Sequence, residues 1–366
     1  MKKIIFGITS LTIGGAERVL VDIANELCEK YDITIFTIYP NGEFEKKLSN
    51  KVKLKSLYNL QYKELNKIQK ILKPLQVLLQ QKRIYKKYIK NDYDIEIAFL
   101  EGAITRIFST ANNNTVKIAW IHNDISKVFG NNFKSKLKRI IDKKIYSKYN
   151  KLVFVSKDNV KKFEEVYNND VSKEVIYNYI NSNNVITQSK EIIDLKFNEN
   201  TLNFVTVSRL VEQKALDRLI NVHSQLTNEG YNHNFYIIGD GPEKEKLEKL
   251  IYEKKVQDTF KLLGQKENPY PYIKKADYFC LLSYFEGYPM VVEEAKILGK
   301  YILITDTAAR EVVRDYDNSK IFKNSEDGIY NGLKNIIEKG RAEKDNITNN
   351  YDNKYIIKKI IELVGE

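Results

Sequence analysis

The sequence predicts an α/β protein built from two doubly wound parallel-sheet domains that face a cleft. Short β-like segments alternate with helical patterns along the whole chain of 366 residues. That length exceeds the roughly 250–300 residues at which a single core stops growing, so two domains are expected. The third observation is a polar stretch near residues 182–200, which separates two similar halves.

The two halves set the domain bounds. We place an N-terminal domain at residues 1–182, a C-terminal domain at 183–345 and an amphipathic helix at 346–366. This helix could pack against either domain, including back onto the N-terminal one.

Ten segments rich in β-branched and aromatic residues are predicted as strands. They cover residues 3–8, 32–38, 94–100, 116–121 and 151–156 in the first half and 203–208, 234–239, 259–264, 277–283 and 300–305 in the second. The first segment follows two lysines and so imitates a signal peptide, but its apolar part, 4–8, is only five residues long. A strand that leads into a helix is the interpretation we prefer.

Helices are predicted between the strands from apolar residues at helical spacing. The clearest cover residues 16–30, 215–230 and 242–255. Gly230 ends the second of these, and Pro242 fits the first helical position of the third.

The formal net charge of +12 is concentrated in two segments of the first half. Residues 61–90 hold nine Lys or Arg against Glu64 alone, and residues 127–151 hold nine against Asp142 alone. Most such runs are solvated surface, but basic helices also dock on anionic membranes. The second run has apolar residues at helical spacing, namely Leu137, Ile140, Ile141 and Ile145. No nucleic-acid-binding motif accompanies the charge, so we expect no nucleic-acid partner.

The sequence also indicates where the protein works. No apolar run approaches the roughly 18–20 residues that span a bilayer. Cys28 and Cys280 each lie in an apolar neighbourhood, which favours reduced core thiols. We therefore expect a cytoplasmic protein.

Glycine-containing loops follow several predicted strands. Gly14 and Gly15 precede a helix, where backbone N–H groups can approach an anion, although a plain tight turn is the alternative. The loop lacks the G-x-G-x-x-G pattern of dinucleotide binding. Gly239 and Gly241 lie in a second such loop and permit close approach of a ligand or of another backbone segment.

Cations and a histidine occur at other strand ends. Arg209 and Lys214 bracket a strand–helix loop, and a guanidinium with an ammonium suits a diphosphate. Solvated surface cations are the alternative. His122 ends a strand of the first half, where α/β proteins bind ligands. The Asp-X-Asp segments at 92–94 and 315–317 and the histidine and cysteine spacings do not indicate a metal site.

The segment SYFEGYPMVVEEA, residues 283–295, gathers three glutamates around a Gly-X-Pro turn. Pro289 fits a helix start, so Met290 onward should be helical, with the amides of Gly287, Tyr288 and Met290 forming an anion site. Glu293 and Glu294 are neighbours on that helix and cannot both face one ligand. The alternative is that these glutamates only complement the helix dipole.

Five segments in this order resemble retaining glycosyltransferase family 4 of bacterial surface-polysaccharide type. They are GGAER, SRLVEQK, IIGDGPEKEKLE, NPYPYIKKADYFCLLSYFEGYPMVVEEA and ITDTAAREVV. Glu286 and Glu294, with seven residues between them, reproduce the E-x7-E motif of the family. The resemblance covers nearly the whole chain and implies the GT-B fold, two Rossmann-like domains facing a cleft.

The resemblance implies a transfer of a hexose or N-acetylhexosamine from a nucleotide-diphosphate sugar, most simply a UDP-sugar. It assigns Arg209 and Lys214 to the diphosphate, Glu286 to the transferred sugar, Glu294 to the ribose and His122 to a contact near the sugar. The implied catalytic set is Glu286, His122, Arg209 and Lys214. The implied donor-binding set adds Gly14, Gly15, Gly239, Gly264, Gly287, Tyr288, Pro289, Met290 and Glu294.

No metal and no other cofactor are implied. The acceptor implied is a lipid-diphosphate-linked glycan of capsule, O-antigen or another surface polysaccharide. Such an acceptor implies a cytoplasmic enzyme that is bound peripherally, through its basic helices, at the inner face of the cell membrane. Ala308 and Ala309 stand where many members have glycines, which leaves ligand approach there open. Two other activities remain open from the residues themselves: a glycoside hydrolase with paired carboxylates, and a nucleotide-sugar-binding protein without transfer.

Overall fold

The computed structural model describes residues 1–90, 92–111, 114–125, 133–342 and 353–365, with the main chain alone for residues 133–137. The chain forms two compact units, Met1–Ile180 together with Asn353–Glu366, and Asn181–Asp352. The predicted boundary between residues 345 and 346, and residues 127–132 of the second basic segment, lie outside the described residues.

The N-terminal unit contains a seven-stranded parallel sheet with the order β3-β2-β1-β4-β5-β6-β7. The strands are β1 (Lys3–Ile8), β2 (Asp32–Thr37), β3 (Lys53–Ser56), β4 (Ile95–Ala98), β5 (Val116–Ile121), β6 (Lys151–Phe154) and β7 (Ser172–Val175). The strand order reverses between β1 and β4, and ligands of open α/β sheets bind at such switch points, beyond the carboxyl ends of the strands.

The C-terminal unit repeats this arrangement with a six-stranded parallel sheet, β10-β9-β8-β11-β12-β13. Its strands are β8 (Leu202–Val207), β9 (His233–Ile238), β10 (Phe260–Leu262), β11 (Tyr278–Leu281), β12 (Tyr301–Thr305) and β13 (Ser319–Phe322). Here the switch point lies between β8 and β11. The predicted α/β architecture with two parallel sheets is confirmed.

All ten predicted strands are present, and the sequence missed β3, β7 and β13. Each of these three is an edge strand. Their sequences, KLKS, SKEV and SKIF, carry charged and exposed side chains rather than apolar runs. A central strand of a parallel sheet is covered on both faces and reads as an apolar run, whereas an edge strand is not and is often charged.

Helices connect the strands. They are α1 (Gly15–Leu27), α2 (Lys67–Leu79), α3 (Gln81–Tyr88), α4 (Ala103–Phe108), α5 (Phe133–Tyr146), α6 (Lys157–Tyr167), α7 (Ser182–Gln188), α8 (Leu216–Asn228), α9 (Lys244–Glu253), α10 (Tyr270–Lys275), α11 (Met290–Ile297), α12 (Glu326–Lys339) and α13 (Asn353–Gly365). The expectation for Pro242 was wrong, because the third predicted helix begins two residues later, at Lys244. Pro242 lies in the preceding turn.

The C-terminal helix α13 belongs to the N-terminal unit. It buries Ile356, Ile360 and Leu363, and Lys2 Nζ donates to the carbonyl oxygens of Val364 at 3.2 Å and of Gly365 at 2.9 Å. Within the described residues, no helix is both long enough and apolar enough to cross a membrane.

Candidate functional site

The switch point of the C-terminal sheet brings together two loops that the sequence singled out. Lys214 ends a short 3-10 helix, Glu212–Lys214, in the loop that follows β8. Glu286 lies in the loop between β11 and α11. Because β8 and β11 are neighbours but their connections leave in opposite directions, the two loops meet above the ends of the strands.

An ion pair joins these loops. Lys214 Nζ donates to Glu286 Oε1 at 2.7 Å. Ser283 Oγ donates to the same oxygen at 2.6 Å, and both Ser283 and Glu286 are buried. Two donors on one carboxylate oxygen hold Glu286 in a single orientation. The hydroxyl of Ser283, at the end of an apolar strand and three residues before Glu286, is the signal that could have identified it as part of the site.

Gln213 and Arg218 support the pair from either side. The backbone N–H of Tyr284 donates to Gln213 O, and Gln213 Nε2 donates to Phe285 O, each at 2.9 Å. Arg218, which is 6% exposed, donates from Nη2 to Leu282 O at 2.9 Å and lies 4.4 Å from the centre of the Tyr284 ring. Neither role could be predicted from the sequence, because both depend on contacts between distant segments.

Helix α11 begins at Met290 with Pro289 immediately before it, as predicted. The positive end of its dipole therefore faces the loop of Gly287 and Tyr288. Glu286 and Glu294 are both buried.

The two adjacent glutamates of this helix have different partners. Tyr270 Oη donates to Glu294 Oε1 at 2.9 Å. Glu293 instead accepts from Tyr288 Oη at 3.1 Å and lies 3.4 Å from Lys296 Nζ, and burial raises the pKa of Glu293. The two carboxylates thus point in different directions, as their helical spacing requires.

The glycines of the second glycine loop have a structural role. Gly239 has a φ of +146°, and a Cβ atom there would lie 1.9 Å from Ser208 O. Its N–H donates to the carbonyl oxygen of Gly264 at 3.0 Å. Gly241 is also in close contact with backbone, since a Cβ atom would lie 2.3 Å from Leu210 O. At both glycines, one backbone segment therefore lies close to another. Contact of Gly239 and Gly264 with the nucleotide-sugar donor stays a prediction.

Arg209 follows β8 and is exposed. Its side chain makes no hydrogen bond or ion pair with any residue that the structure describes. The two cations of this loop therefore differ: Lys214 is paired with Glu286, whereas the guanidinium of Arg209 is available.

In the N-terminal unit, Gly14 caps helix α1 and Gly15 begins it. The carboxylate of Glu17 folds over this helix start, where Oε2 lies 2.2 Å from the position a Gly14 Cβ would take. Burial raises the pKa of Glu17. A negatively charged ligand at this helix start would compete with that carboxylate.

His122 follows β5 and packs against Phe99, with 4.7 Å between ring centres. Its backbone N–H donates to Glu101 Oε1 at 2.6 Å, and the N–H of Asn123 donates to the same oxygen at 2.8 Å. Burial lowers the pKa of His122 to about 3, so the imidazole is neutral at physiological pH. Such a ring is a weak base, which favours a contact role. The sequence missed Glu101, although it also follows a strand end.

Among the described residues, no group of three or more His, Cys, Asp or Glu side chains could hold a metal ion. The residues that the sequence predicts for the functional site fall into two sets. Gly14, Gly15 and His122 lie at the carboxyl ends of strands in the N-terminal unit, and all the others lie in the C-terminal unit.

Two protein families match the chain, one in each half. Residues 13–184 match the family described as Glycosyltransferase Family 4. Residues 187–354 match the family described as Glycosyl transferases group 1. Together the two matches span nearly the whole sequence.

Individual proteins are similar over most of their length. An N-acetylgalactosamine-N,N'-diacetylbacillosaminyl-diphospho-undecaprenol 4-alpha-N-acetylgalactosaminyltransferase of Campylobacter jejuni is 27% identical over 94% of this chain and 92% of its own. A second C. jejuni protein, a GalNAc-alpha-(1->4)-GalNAc-alpha-(1->3)-diNAcBac-PP-undecaprenol alpha-1,4-N-acetyl-D-galactosaminyltransferase, is 29% identical over 81% of this chain and 77% of its own. The crystal structure of Anabaena HepE in complex with UDP and glucose has the same fold, with a TM-score of 0.76 over both entire chains at 17% identity.

Proposed function

The chain belongs to the family 4 glycosyltransferases of the GT-B fold, and on that premise we propose which reaction it catalyses. It transfers a hexose or N-acetylhexosamine from a UDP-sugar to a lipid-diphosphate-linked glycan, with retention of configuration. The product is a growing surface polysaccharide such as capsule or O-antigen. No resident metal or other cofactor takes part.

The observation that carries this proposal is the contact of Lys214 with Glu286 at the switch point of the C-terminal sheet. Cleavage of a nucleotide-diphosphate sugar leaves negative charge on the departing phosphate, and a fixed cation beside it lowers the barrier. Lys214 and the unpaired guanidinium of Arg209 supply two cations on one loop. Glu286 Oε1 already holds two donors, so its other oxygen, Oε2, is the acceptor for a sugar hydroxyl.

The other donor contacts follow from their positions. Glu294 accepts the ribose hydroxyls while Tyr270 holds its Oε1. The amides at the start of α11 face the phosphate or the sugar. Gly14 and Gly15 contact the diphosphate, and His122 contacts the sugar as a neutral ring.

Retention is supported by the chemistry of the relatives. Both Campylobacter proteins are named for α-linked products. A sugar that is α-linked in its nucleotide donor and α-linked in the product keeps its anomeric configuration. Both names also specify an acceptor carried on diphospho-undecaprenol, and we propose the same acceptor class here.

A cavity in the N-terminal unit supports the acceptor proposal. It has a volume of about 480 Å³ and lies beyond the carboxyl ends of β1 and β2. Tyr39 and Tyr62 line it with their rings edge to face, 5.3 Å between centres. Glu43 and Gln61 add polar groups. Aromatic faces with a few polar side chains are what a bound sugar needs.

Helix α2 supports docking on a membrane. Six of its side chains are 44–75% exposed and fall on one stripe: Ile68, Ile71, Leu72, Leu75, Leu78 and Leu79. Val77, on the opposite side, is buried and lines the acceptor cavity. In α5, Ile140 and Ile141 are exposed as well. We propose that the stripe enters an anionic leaflet and that the surrounding lysines contact lipid head groups.

The test is a transfer assay with the full chain, a short-chain polyprenyl-diphosphate-linked glycan and separate UDP-, GDP- and ADP-sugars. We expect nucleotide release with the UDP-sugar that depends on acceptor, and an α-anomeric product by proton NMR. A thermal-shift titration with each nucleotide checks donor choice independently, since ligand binding raises the melting temperature.

Other outcomes would replace the proposal. A β-linked product excludes retention, and transfer from GDP- or ADP-sugars alone excludes the UDP donor. Binding of the nucleotide without transfer to any lipid-linked acceptor would indicate a binding protein. Hydrolysis of a glycoside in the absence of nucleotide would indicate a hydrolase.

A further inference from the structure

A second cavity of the N-terminal unit lies at the amino ends of its strands, whereas Gly14, Gly15 and His122 follow carboxyl ends. Its volume is about 600 Å³. The lining comes from the start of β5, the turn after α4, the segment between α5 and β6, and the first turn of α3. These are the amino ends of β5 and β6, so the cavity is separate from the acceptor cavity and from the loops that carry His122 and Gly14.

Three lysines line this cavity, and no carboxylate does. They are Lys82, Lys117 and Lys148. Lys82 belongs to the first basic segment of the sequence and Lys148 to the second. The fold therefore brings parts of both basic segments to one cavity. Within the described residues, none of the three ammonium groups lies within ion-pair distance of a carboxylate.

Lys117 is the most unusual of the three because its side chain is buried, at 6% exposure. It lies opposite Glu96 on the neighbouring strand β4. Glu96 Oε1 accepts a hydrogen bond from Tyr85 Oη at 2.5 Å, and burial raises the pKa of Glu96 to about 7. Burial lowers the pKa of Lys117, the carboxylate of Glu96 opposes this, and Lys148 adds to it. A buried ammonium with a like charge nearby is stabilised by an anion.

Hydroxyl groups in the cavity wall donate to backbone carbonyl oxygens. Ser109 Oγ donates to Arg106 O at 2.8 Å and Thr110 Oγ1 donates to Ile107 O at 2.7 Å. Ser147 Oγ donates to Lys143 O at 2.9 Å. Because these hydroxyl hydrogens are used within the protein, the cationic donors of the cavity are the three lysines.

Asn150 adds an oriented donor. Its Oδ1 accepts the backbone N–H of Lys117 at 2.8 Å, and its NH₂ group makes no hydrogen bond with any residue that the structure describes. Lysine ammoniums and amide donors around a polar cavity are the groups that recognise phosphate oxygens.

We infer that this cavity, with Lys82, Lys117, Lys148 and Asn150, is a second anion site that binds a phosphate group. The phosphate belongs either to a free phosphate or diphosphate or to the head group of an anionic lipid. The site is independent of the proposed transfer reaction, because none of its residues belongs to the donor or acceptor sites.

Pyridoxal 5′-phosphate is a suitable probe, because its phosphate directs its aldehyde to nearby lysines. The full chain is treated with it, reduced with borohydride and digested, and the labelled peptides are identified by mass spectrometry. We expect labelling of cavity lysines at least about tenfold faster than labelling of Lys86, which lies on the same helix as Lys82 but does not line the cavity. Inorganic pyrophosphate should slow labelling in the cavity but not at Lys86.

Two further arms assign the source of the phosphate. Protection by millimolar pyrophosphate alone identifies a soluble ligand, and protection by phosphatidylglycerol vesicles but not by phosphatidylcholine vesicles identifies a lipid head group. Lys82→Gln and Lys148→Gln should each weaken protection of Lys117 by about tenfold. Lys86→Gln, which removes the same charge from the same helix, should not.

The inference is overturned if Lys86 is labelled and protected as strongly as the cavity lysines, because general surface charge then explains binding. It is also overturned if neither pyrophosphate nor vesicles protect Lys117. Both substituted lysines, Lys82 and Lys148, are exposed, so their variants should fold and make these outcomes measurable.

Discussion

Lys214 Nζ lies 2.7 Å from Glu286 Oε1, although 72 residues separate the two in the chain. The family resemblance assigns the lysine to the diphosphate and the glutamate to the sugar. In the structure they contact each other, and Ser283 donates to the same carboxylate oxygen. In the proposed function, the pair therefore lies where the leaving phosphate and the transferred sugar meet.

We expect Lys214→Met and Glu286→Gln each to lower kcat for sugar transfer by about 100- to 1,000-fold, because each removes a fixed charge from the reacting groups. Because the residues contact each other, the loss in the double variant should be clearly smaller than the product of the single losses. Steady-state kinetics of all three variants measures this. Glu253→Gln, which breaks an exposed pair with Lys249, is the matched control. Fully multiplicative losses would show that the pair does not act as a unit.

Tyr270→Phe should weaken binding of the nucleotide donor by about tenfold and leave kcat nearly unchanged. It removes the hydroxyl that donates to Glu294, and a hydrogen bond to a charged group contributes about 1.5 kcal/mol. Titration calorimetry with the nucleotide measures the effect. Tyr278→Phe is the control, since Tyr278 Oη is also buried near β11 but donates to Gly340 O. Equal losses in both variants would indicate a general loss of stability.

The transfer rate should show no ionisation of His122 between pH 5 and 9. Burial lowers the pKa of His122 to about 3, so the ring is neutral over this whole range. We expect His122→Asn to lower the rate by a factor that does not change with pH. Rate profiles for both proteins, measured in the same buffers, provide the test. An inflection near neutral pH that disappears only in the variant would identify His122 as a titrating acid or base.

The free energy of unfolding should fall as the pH drops from about 6.5 toward 4. His223 Nδ1 and His233 Nε2 lie 2.8 Å apart in the core of the C-terminal unit. Burial lowers the pKa of His223 to about 3 and that of His233 to about 4, from the ordinary 6.5. Below pH 6.5 the unfolded chain therefore binds protons that the folded chain does not. Each histidine contributes at most about 1.4 kcal/mol per pH unit.

Urea unfolding at pH 7.5 and pH 5.0 tests this prediction. The double variant His223→Gln with His233→Gln should be less stable at pH 7.5 but should lose less stability on acidification than the natural chain. Equal losses in both proteins would assign the acid sensitivity to other groups.

Ile71→Asn and Leu79→Asn should each reduce binding to phosphatidylglycerol vesicles by about tenfold. Both side chains are more than 70% exposed, so the substitutions should change folding stability by less than about 0.5 kcal/mol. Each loses about 1.5 kcal/mol of apolar burial in the bilayer. Vesicle sedimentation measures the effect, and Ile192→Asn, a 95% exposed isoleucine of the other unit, is the control. If the variants instead abolish a dimer seen by light scattering, the stripe binds a second copy of the chain.

Local patterns in the sequence predict the fold class, ten of the thirteen strands that the structure describes, the helix start at Met290 and the family. Those patterns are apolar runs, helical spacing and turn residues. The missed strands β3, β7 and β13 are edge strands with charged side chains and no apolar run, whereas the segment of the edge strand β10 is apolar enough to be predicted. The sequence also could not tell whether Gly239 contacts another backbone segment or a ligand, because either contact requires a residue without a side chain.

Which side chains contact one another follows from the folding of the chain in three dimensions. Glu101 beneath His122, Tyr270 on Glu294 and the convergence of Lys82, Lys117 and Lys148 each join segments that are distant in the chain. The exposure of the stripe on α2 could not be predicted either, because apolar residues at helical spacing occur on buried and on exposed helix faces alike. Lys214 and Glu286 were both predicted as site residues, but only the divergence of the loops after β8 and β11 placed one against the other.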